Sequence, residues 1–241
     1  MKKTLIFISI FFFTSITFSQ KISTDGLIAY YPFNGNVKDY SGNENHGKLW
    51  GPINSKDRFG KSDRAYHFNG YKNPSYIRVP NDPSLKLISS FSISCWVKVD
   101  DPEGINGYGA INKKGSHCVF AKDHDRNGIQ LTIYFNNDSE EISWGSYRGG
   151  AIHIKTEIKP KTWYHFVIIH DQGDYKIFKD NTIIGMGTLN LDLTLTNEKD
   201  LYFGKFIDQW FPLNGDLDDI RIYDRVINEK EVSNLYHENG Y

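Results

Sequence analysis

The chain has 241 residues and balances 28 basic against 29 acidic side chains, for a formal net charge of −1. Without a basic tail or stripe, nucleic acid is excluded as a reasonable partner. Aromatic residues make up 15% of the chain. Because aromatic side chains fit the pleated surface of a sheet, this composition favours strands.

The N-terminus has the order of a secretory signal. Lys2 and Lys3 precede an apolar run over residues 5–13, and small and polar residues follow up to Ser19. The apolar run is shorter than the roughly 20 residues that span a bilayer, and no later segment approaches that length. We therefore expect a signal peptide over 1–19, no membrane span, and a mature chain that is secreted, periplasmic or at the cell surface.

Strand patterns recur along the rest of the chain. The segment FSISCWVKV alternates, with Ile93, Cys95 and Val97 on one face and Trp96 on the other, which indicates a sheet covered on both sides. Many short strands separated by turn residues predict one all-β domain over 20–241, an antiparallel two-sheet sandwich. The predicted strands are 27–33, 75–80, 91–99, 118–122, 129–135, 163–170, 175–179, 201–206 and 217–223.

One short helix is predicted at the C-terminus. Asn228 can cap it, Glu231 occupies the capping-box position, and Ile227 with Val232 supplies the hydrophobic staple. The helix EKEVSNLYHE should therefore follow the last strand.

The chain contains two cysteines, Cys95 and Cys118. An exported chain meets an oxidising compartment, so we predict that the two form a disulfide bond. Two buried free thiols are the alternative, because the sequence does not place the two Cα atoms within the distance that a disulfide needs.

Three carboxylates crowd the start of the last predicted strand, NGDLDDIRIY, at Asp216, Asp218 and Asp219. Like charges so close together repel unless something offsets them. They are either solvated charges at a strand edge, where they discourage aggregation, or part of a cation site. In a regular strand Asp219 points to the face opposite Asp218, where it could pair with Arg221 or with a loop, so we leave it out of the expected ligand set.

Five blocks occur in this order: GLIAYYPFNGNVKDYSGNENHG (26–47), FGKSDRAYHFNG (59–70), FSISCWVKV (91–99), WYHFVIIHDQGDYKIFKDNTIIG (163–185) and NGDLDDIRIYDRVINEKEV (214–232). Together they resemble the laminin-G-like domains of the concanavalin A-like lectin/glucanase superfamily. The resemblance implies a jelly-roll of two antiparallel sheets, with the first and last strands side by side. It also implies a structural calcium ion near the junction of those two strands.

The resemblance also assigns ligands to that ion. It places one on Asp218, others on Asp39 and Asn43 of the DYSGN turn, and one on the backbone carbonyl of Gly70. Calcium takes six to eight oxygen ligands, including carboxylate, amide and backbone carbonyl oxygens. An ion there would offset the crowded carboxylates and join the N-terminal segment to the last strand.

Glucanases with this fold carry paired catalytic acids in an E-x-D-x-x-E run, which this sequence lacks. Glu140 and Glu141 are adjacent, so in a strand they face opposite sheets and cannot act as the pair that retaining hydrolysis needs. We therefore expect a non-catalytic carbohydrate-binding, lectin-like domain. A polysaccharide-degrading glycoside hydrolase or lyase with an unfamiliar catalytic set is one alternative, and a protein-binding adhesion module is another.

Jelly-roll carbohydrate-binding modules stack sugars on exposed aromatic rings, so aromatic residues in loops are the candidate ligand site. The glycine-rich segment SWGSYRGG (143–150) contains Trp144, Tyr147 and Arg148, and a second loop, DQWFP, contains Trp210. We predict that these four residues bind a polysaccharide or other glycan. Arg148 could pair with an acidic or sulfated sugar, which extends the expected partners to anionic glycans. The alternative is that the tryptophan rings pack into the core.

Overall fold

The computed structural model describes residues 22–105, 110–122, 128–136, 139–146, 149–193, 198–206 and 211–238. Over these residues the chain forms two antiparallel sheets around a common core, which confirms the predicted all-β sandwich. No helix in these ranges is long and apolar enough to cross a membrane. In chain order the elements are β1 (Leu27–Tyr31), β2 (Lys48–Trp50), β3 (Ile53–Ser55), β4 (Ala65–Asn69), β5 (Tyr76–Val79), β6 (Ser90–Val99), β7 (Gly104–Ile105), β8 (Ile111–Asn112), β9 (Ser116–Lys122), β10 (Ile129–Phe135), β11 (Glu140–Ser146), β12 (Gly150–Lys155), β13 (Trp163–Asp171), β14 (Asp174–Lys179), β15 (Thr182–Thr188), β16 (Leu201–Phe203), β17 (Asn214–Tyr223) and helix α1 (Glu229–Tyr236), with short 3-10 helices at Gly70–Lys72 and Pro83–Leu85.

The two sheets are called sheet A and sheet B below. Sheet A has the strand order β15–β14–β13–β6–β17–β4–β3, and β1 pairs with β17. Sheet B has the order β12–β11–β10–β9–β16–β5–β2, with β7 and β8 attached beside β9. The first and last strands lie side by side, as the resemblance implies, with Leu27 opposite Tyr223 and Tyr31 opposite Ile220.

The core lies between the inner faces of the two sheets. Every second side chain of a strand points inward, so Ile93 and Val97 of β6 meet Leu131 and Ile133 of β10 in one buried cluster. Trp96 of β6 points to the outer face of sheet A and is also buried. The expectation that sheet A is covered on both sides is therefore confirmed.

The cover on the outer face of sheet A includes the C-terminal helix. Asn228 Oδ1 accepts a hydrogen bond from the Glu231 backbone N–H at 3.0 Å, and Glu231 Oε2 accepts one from the Asn228 backbone N–H at 2.8 Å. This is the predicted capping box, and it sets the start of α1. The staple residues belong to the apolar cluster that joins the helix to the sheet, which consists of Val167, Ile169, Phe178, Tyr223, Ile227, Val232 and Leu235.

The predicted disulfide is wrong: Cys95 and Cys118 are both free and buried. Cys95 points into the core from sheet A, whereas Cys118 points away from the core on the outer face of sheet B, against Phe206 and Phe211. Packed sheets are about 10 Å apart, so the two Cα atoms are beyond the roughly 7 Å limit for a disulfide. Burial raises the pKa of the Cys95 thiol to about 12.

Candidate functional site

Trp144 does not lie in a loop, so the prediction that it is an exposed sugar platform is wrong. It belongs to β11, its side chain is fully buried, and its ring meets Phe91 edge to face at 6.1 Å. The neighbouring glycine that suggested a loop has a packing role: a Cβ on Gly145 would lie 2.7 Å from the Cα of Ala151 in the paired strand. The other three residues predicted for this site, Tyr147, Arg148 and Trp210, lie outside the described residues.

A different set of aromatic side chains lies on the outer face of sheet B: Trp50 of β2, Tyr76 of β5 and Tyr202 of β16. The alternation of β5 explains the direction of Tyr76: Ile77 and Val79 are buried in the core, so Tyr76 and Arg78, which alternate with them, point outward. Trp50 is directly opposite Tyr76 across the β2–β5 pair. These three residues are called the aromatic platform.

The rings of the aromatic platform contact one another in sequence across the three strands. Trp50 and Tyr76 are stacked, with centroids 5.2 Å apart and planes 10° from parallel. Tyr76 meets Tyr202 edge to face at 6.0 Å. Trp50 is 38% exposed, which is unusual for the largest apolar side chain. The platform therefore presents aromatic surface to solvent at the edge of sheet B.

Charged groups border the aromatic platform. The ammonium of Lys205 lies 4.1 Å from the ring centroid of Tyr76 and 4.4 Å from that of Tyr202, within the range of a cation–π contact. Arg78, opposite Tyr202 in the sheet, pairs through Nε with Asp200. An arrangement of aromatic faces with nearby donors and acceptors suits a ligand that is apolar on one face and rich in hydroxyls at its edges, as a sugar ring is.

Sequence reasoning missed the aromatic platform although two signals for it were present. SYIRVP alternates, so that Tyr76 and Arg78 share one face opposite Ile77 and Val79. Trp50 follows Lys48 at strand spacing in KLW. The pairing of these two segments joins residues far apart in the chain, and only the sheet register reveals it.

The four residues predicted to bind calcium are not brought to one point. Asp39 lies beside β1, where its Oδ1 accepts the Tyr30 backbone N–H at 2.8 Å, and Tyr30 is opposite Arg221 of β17. Gly70 follows Asn69, which is opposite Asn214 at the other end of β17. Those two positions of β17 are seven steps apart, which is roughly 23 Å at about 3.3 Å per residue. This ligand set therefore does not fit one ion, and calcium binding stays a prediction.

Hydrogen bonds from protein donors occupy both carboxylate oxygens of Asp39 in the DYSGN turn. Asp39 Oδ1 also accepts the Ser41 backbone N–H, and Asp39 Oδ2 accepts the Ser41 hydroxyl and the Asn45 backbone N–H. Asn43 donates from Nδ2 to the backbone carbonyl of Ile28 at 3.1 Å. These bonds fix the turn against β1.

One arginine lies against two of the three acidic side chains at the start of β17, Asp218 and Asp219. Arg58 Nη1 lies 2.6 Å from Asp218 Oδ2 and 2.7 Å from Asp219 Oδ2, and the arginine side chain is 2% exposed. Its guanidinium also lies 4.8 Å from the centroid of the Trp96 ring. Arg221 Nη2 lies 3.5 Å from Asp219 Oδ1, so Asp219 also pairs with Arg221, as predicted.

Both carboxylates reach Arg58 because β17 is not regular. The register slips between Asp218 and Arg221, and Asp219 has φ +49°, so the expected alternation of Asp218 and Asp219 between faces does not hold. Burial and the charge of Asp219 raise the pKa of Asp218 to about 8. Burial alone would raise the pKa of Asp219 too, but Arg221 and Arg58 outweigh it and lower that pKa.

Two antiparallel sheets around one core, with paired terminal strands, define a lectin-like jelly-roll. The profile of the concanavalin A-like lectin/glucanases superfamily matches residues 71–233, which is more than half of the chain. The chain therefore belongs to this superfamily, and the resemblance found in the sequence is confirmed. A search of curated proteins finds no significant match.

Solved structures with the same fold include domains that bind sugars or proteins. Domain 4 of AbnA, a GH43 extracellular arabinanase from Geobacillus stearothermophilus in complex with arabinotriose, is 23% identical, with a TM-score of 0.65 over 87% of this chain and 98% of that chain. Botulinum neurotoxin type C, whose cell entry depends on two ganglioside molecules, is 14% identical, with a TM-score of 0.67 over 90% of this chain and 52% of that chain. The binding domain of botulinum neurotoxin DC in complex with rat synaptotagmin II is 13% identical, with a TM-score of 0.68 over 92% of this chain and 53% of that chain. This chain spans about half the length of the two toxin chains, and at these identities the similarity concerns the fold alone.

Proposed function

We propose that this chain is an exported, non-catalytic carbohydrate-binding domain that binds glycans on the aromatic platform. The observation that carries the proposal is the placement of Trp50, Tyr76 and Tyr202 on one outward face, across three neighbouring strands. Because the rings are held on strands, their side chains lose little conformational entropy when a ligand binds. The relative that was solved with arabinotriose has the same fold, which supports a sugar as the ligand class.

Stacking on Trp50 is the main contact that we propose. Its indole is the most exposed of the three rings, and Tyr76 supports its inner side. Geometrically favourable aromatic contacts contribute about 0.5–1.5 kcal/mol beyond the burial of area. Because about 1.4 kcal/mol corresponds to a tenfold change in affinity, loss of the Trp50 ring should weaken glycan binding about tenfold.

The charges around the platform favour anionic glycans. Lys48, Arg78 and Lys205 carry three positive charges beside the rings, and Asp200 pairs with Arg78. A carboxylate or sulfate on a bound sugar would gain a charge-assisted hydrogen bond from Lys48 or Arg78. Binding of an anionic polysaccharide should therefore weaken as salt is added, whereas binding of a neutral one should not.

The arrangement of the carboxylates near these strands favours binding over cleavage. Glu140 and Glu141 of β11 are opposite Phe135 and Tyr134, and since Phe135 points inward, the two acids face opposite sides of sheet B. Asp200 is engaged by Arg78 and by the Asn81 backbone N–H. A carboxylate held in an ion pair and a hydrogen bond is a poor general acid, so Asp200 does not serve as one beside the platform.

Affinity electrophoresis on a panel of neutral and anionic polysaccharides tests the proposal, with the parent chain, Trp50→Ala and Trp163→Ala run side by side. Trp163 is the matched control, because it is also partly exposed but belongs to sheet A. Trp50→Ala should lose retention while Trp163→Ala keeps it, with both variants folded. A reducing-sugar assay on the same panel addresses the enzyme alternative. Equal retention by Trp50→Ala and the parent, or release of reducing ends, would refute the proposal.

A further inference from the structure

A histidine and two aspartates converge on the outer face of sheet A, whereas the aromatic platform lies on sheet B. His67 of β4 is opposite Asp216 of β17, and Asp216 is in turn opposite Lys98 of β6. Asp100 follows β6, where its backbone N–H donates to the Asn214 carbonyl at 2.9 Å. Register thus places these side chains in one row at the end of the sheet.

We propose that His67, Asp100 and Asp216 bind a transition-metal dication of the Zn²⁺ class. Within the described ranges, these three form the one group of histidine, cysteine and acidic side chains whose ligand atoms all lie within 4.8 Å of one another. His67 Nδ1 lies 3.3 Å from Asp216 Oδ1 and 3.7 Å from Asp100 Oδ2. Ligand atoms about 2.1 Å from a tetrahedral Zn²⁺ are about 3.4 Å apart, so the spacing already fits an ion.

The ammonium of Lys98 leaves those ligand atoms available. It lies 2.6 Å from Asp216 Oδ2 and 3.5 Å from Asp100 Oδ1, the two oxygens that face away from His67. Each carboxylate therefore offers one oxygen to Lys98 and the other to the space beside His67 Nδ1. Lys98 holds the carboxylates as an outer-shell partner does at a metal site.

The buried oxygen of Asp216 that faces His67 is a second observation in favour of a cation at this position. The Asp216 side chain is 1% exposed, and its Oδ1 makes no hydrogen bond of good geometry among the described residues, although His67 Nδ1 lies 3.3 Å away and pairs with it when the imidazole is protonated. A buried carboxylate oxygen without a hydrogen bond of good geometry is costly, and an ion bound between it and His67 would remove that cost. His67 and Asp100 are 26% and 31% exposed at their side chains, so an ion can enter from solvent.

The chemistry of the donors selects the metal. An imidazole nitrogen with two carboxylate oxygens suits Zn²⁺ and its neighbours, whereas calcium prefers six to eight oxygen ligands. Three protein ligands leave at least one coordination position for water or an oxygen of a ligand. The proposal is separate from sugar binding, because the two sites lie on different sheets.

Isothermal titration of the untagged full chain with Zn²⁺, supported by the absorption spectrum of bound Co²⁺, tests this site. We expect one equivalent of Zn²⁺ per chain. His67→Ala should weaken binding at least about 100-fold, since loss of an outer-shell partner alone typically costs 10–100-fold. Asp100→Asn is the second variant, and as a half-exposed position it should fold even if His67→Ala does not.

His153→Ala is the matched control, because His153 also lies beside a carboxylate, with its Nδ1 3.4 Å from Glu141 Oε1. It should bind Zn²⁺ as the parent does, and any effect of Ca²⁺ on melting should be the same in the parent and in His67→Ala. Three results would overturn the proposal: a folded parent that binds no Zn²⁺, folded His67→Ala or Asp100→Asn variants that bind it as well as the parent, or loss of binding in His153→Ala.

Discussion

Replacing Asp218 by asparagine should change how the stability of the protein depends on pH. The Asp218 side chain is 4% exposed, and its pKa is raised to about 8 by burial and by the charge of Asp219. In the unfolded chain an aspartate has a pKa of about 3.9. Between these two values the folded chain keeps a proton that the unfolded chain releases, so the free energy of unfolding falls as pH rises through this window.

The size of the effect follows from that proton. One proton bound by the folded chain alone changes the free energy of unfolding by about 1.4 kcal/mol per pH unit. The Asp218→Asn variant lacks the proton, so the difference in stability between parent and variant should shift by about 3 kcal/mol in favour of the variant from pH 5 to pH 7. Asp219 does not affect this pH window. Its pKa is lowered in the folded chain, so its contribution to stability is lost only as the pH falls through that lowered pKa.

Urea unfolding of the parent, Asp218→Asn and Asp63→Asn at several pH values between 5 and 8 measures this directly. Asp63 is an exposed carboxylate with positive φ, a conformation that asparagine tolerates, so Asp63→Asn controls for the loss of a surface charge. Its stability profile should run parallel to that of the parent. If the Asp218→Asn profile is parallel too, Asp218 is ionised throughout as a simple ion pair with Arg58, and the reasoning is refuted.

Three further predictions concern packing, thiols and the helix cap. Trp144→Ala should lower the free energy of unfolding by about 3–5 kcal/mol, the usual cost of removing a buried aromatic ring, and a loss below 1 kcal/mol in urea unfolding would show that Trp144 is not core. Thiol titration should find no reactive group in the folded protein and two after unfolding without reductant, since both cysteines are free and buried; a single disulfide would contradict the structure. Asn228→Ala should cost about 1 kcal/mol by removing the cap, and an unchanged urea midpoint would show that α1 starts independently of it.

Local patterns were sufficient to predict the sandwich and its closing helix. The alternation of β6 and the Asn228–Glu231 capping box are properties of a few adjacent residues, and the structure has both where the sequence indicates them. The residues that we propose to bind sugar depend on register instead. Trp50 and Trp144 look alike in sequence, each near glycine, yet one lies on an outer face and the other in the core because of the strands that pair with them.

The acidic cluster could not be interpreted from sequence for the same reason. Its partner, Arg58, is 160 residues away from Asp218 in the chain. The bulge that places Asp218 and Asp219 on the same arginine has no residue signature, since aspartate at positive φ is uncommon outside turns. The sequence shows the crowded aspartates, but it does not show that Arg58 pairs with two of them.

The most direct test of the aromatic platform is nuclear magnetic resonance of the tryptophan indole N–H groups during titration with an oligosaccharide from a retained polysaccharide. The chain has five tryptophans, so five signals can be assigned by single substitution. If sugars bind where we propose, the Trp50 signal should shift progressively and saturate, while those of Trp144 and Trp163 stay in place. A saturable shift of the Trp210 signal with no change at Trp50 would contradict the account and move the site to the loop before the last strand.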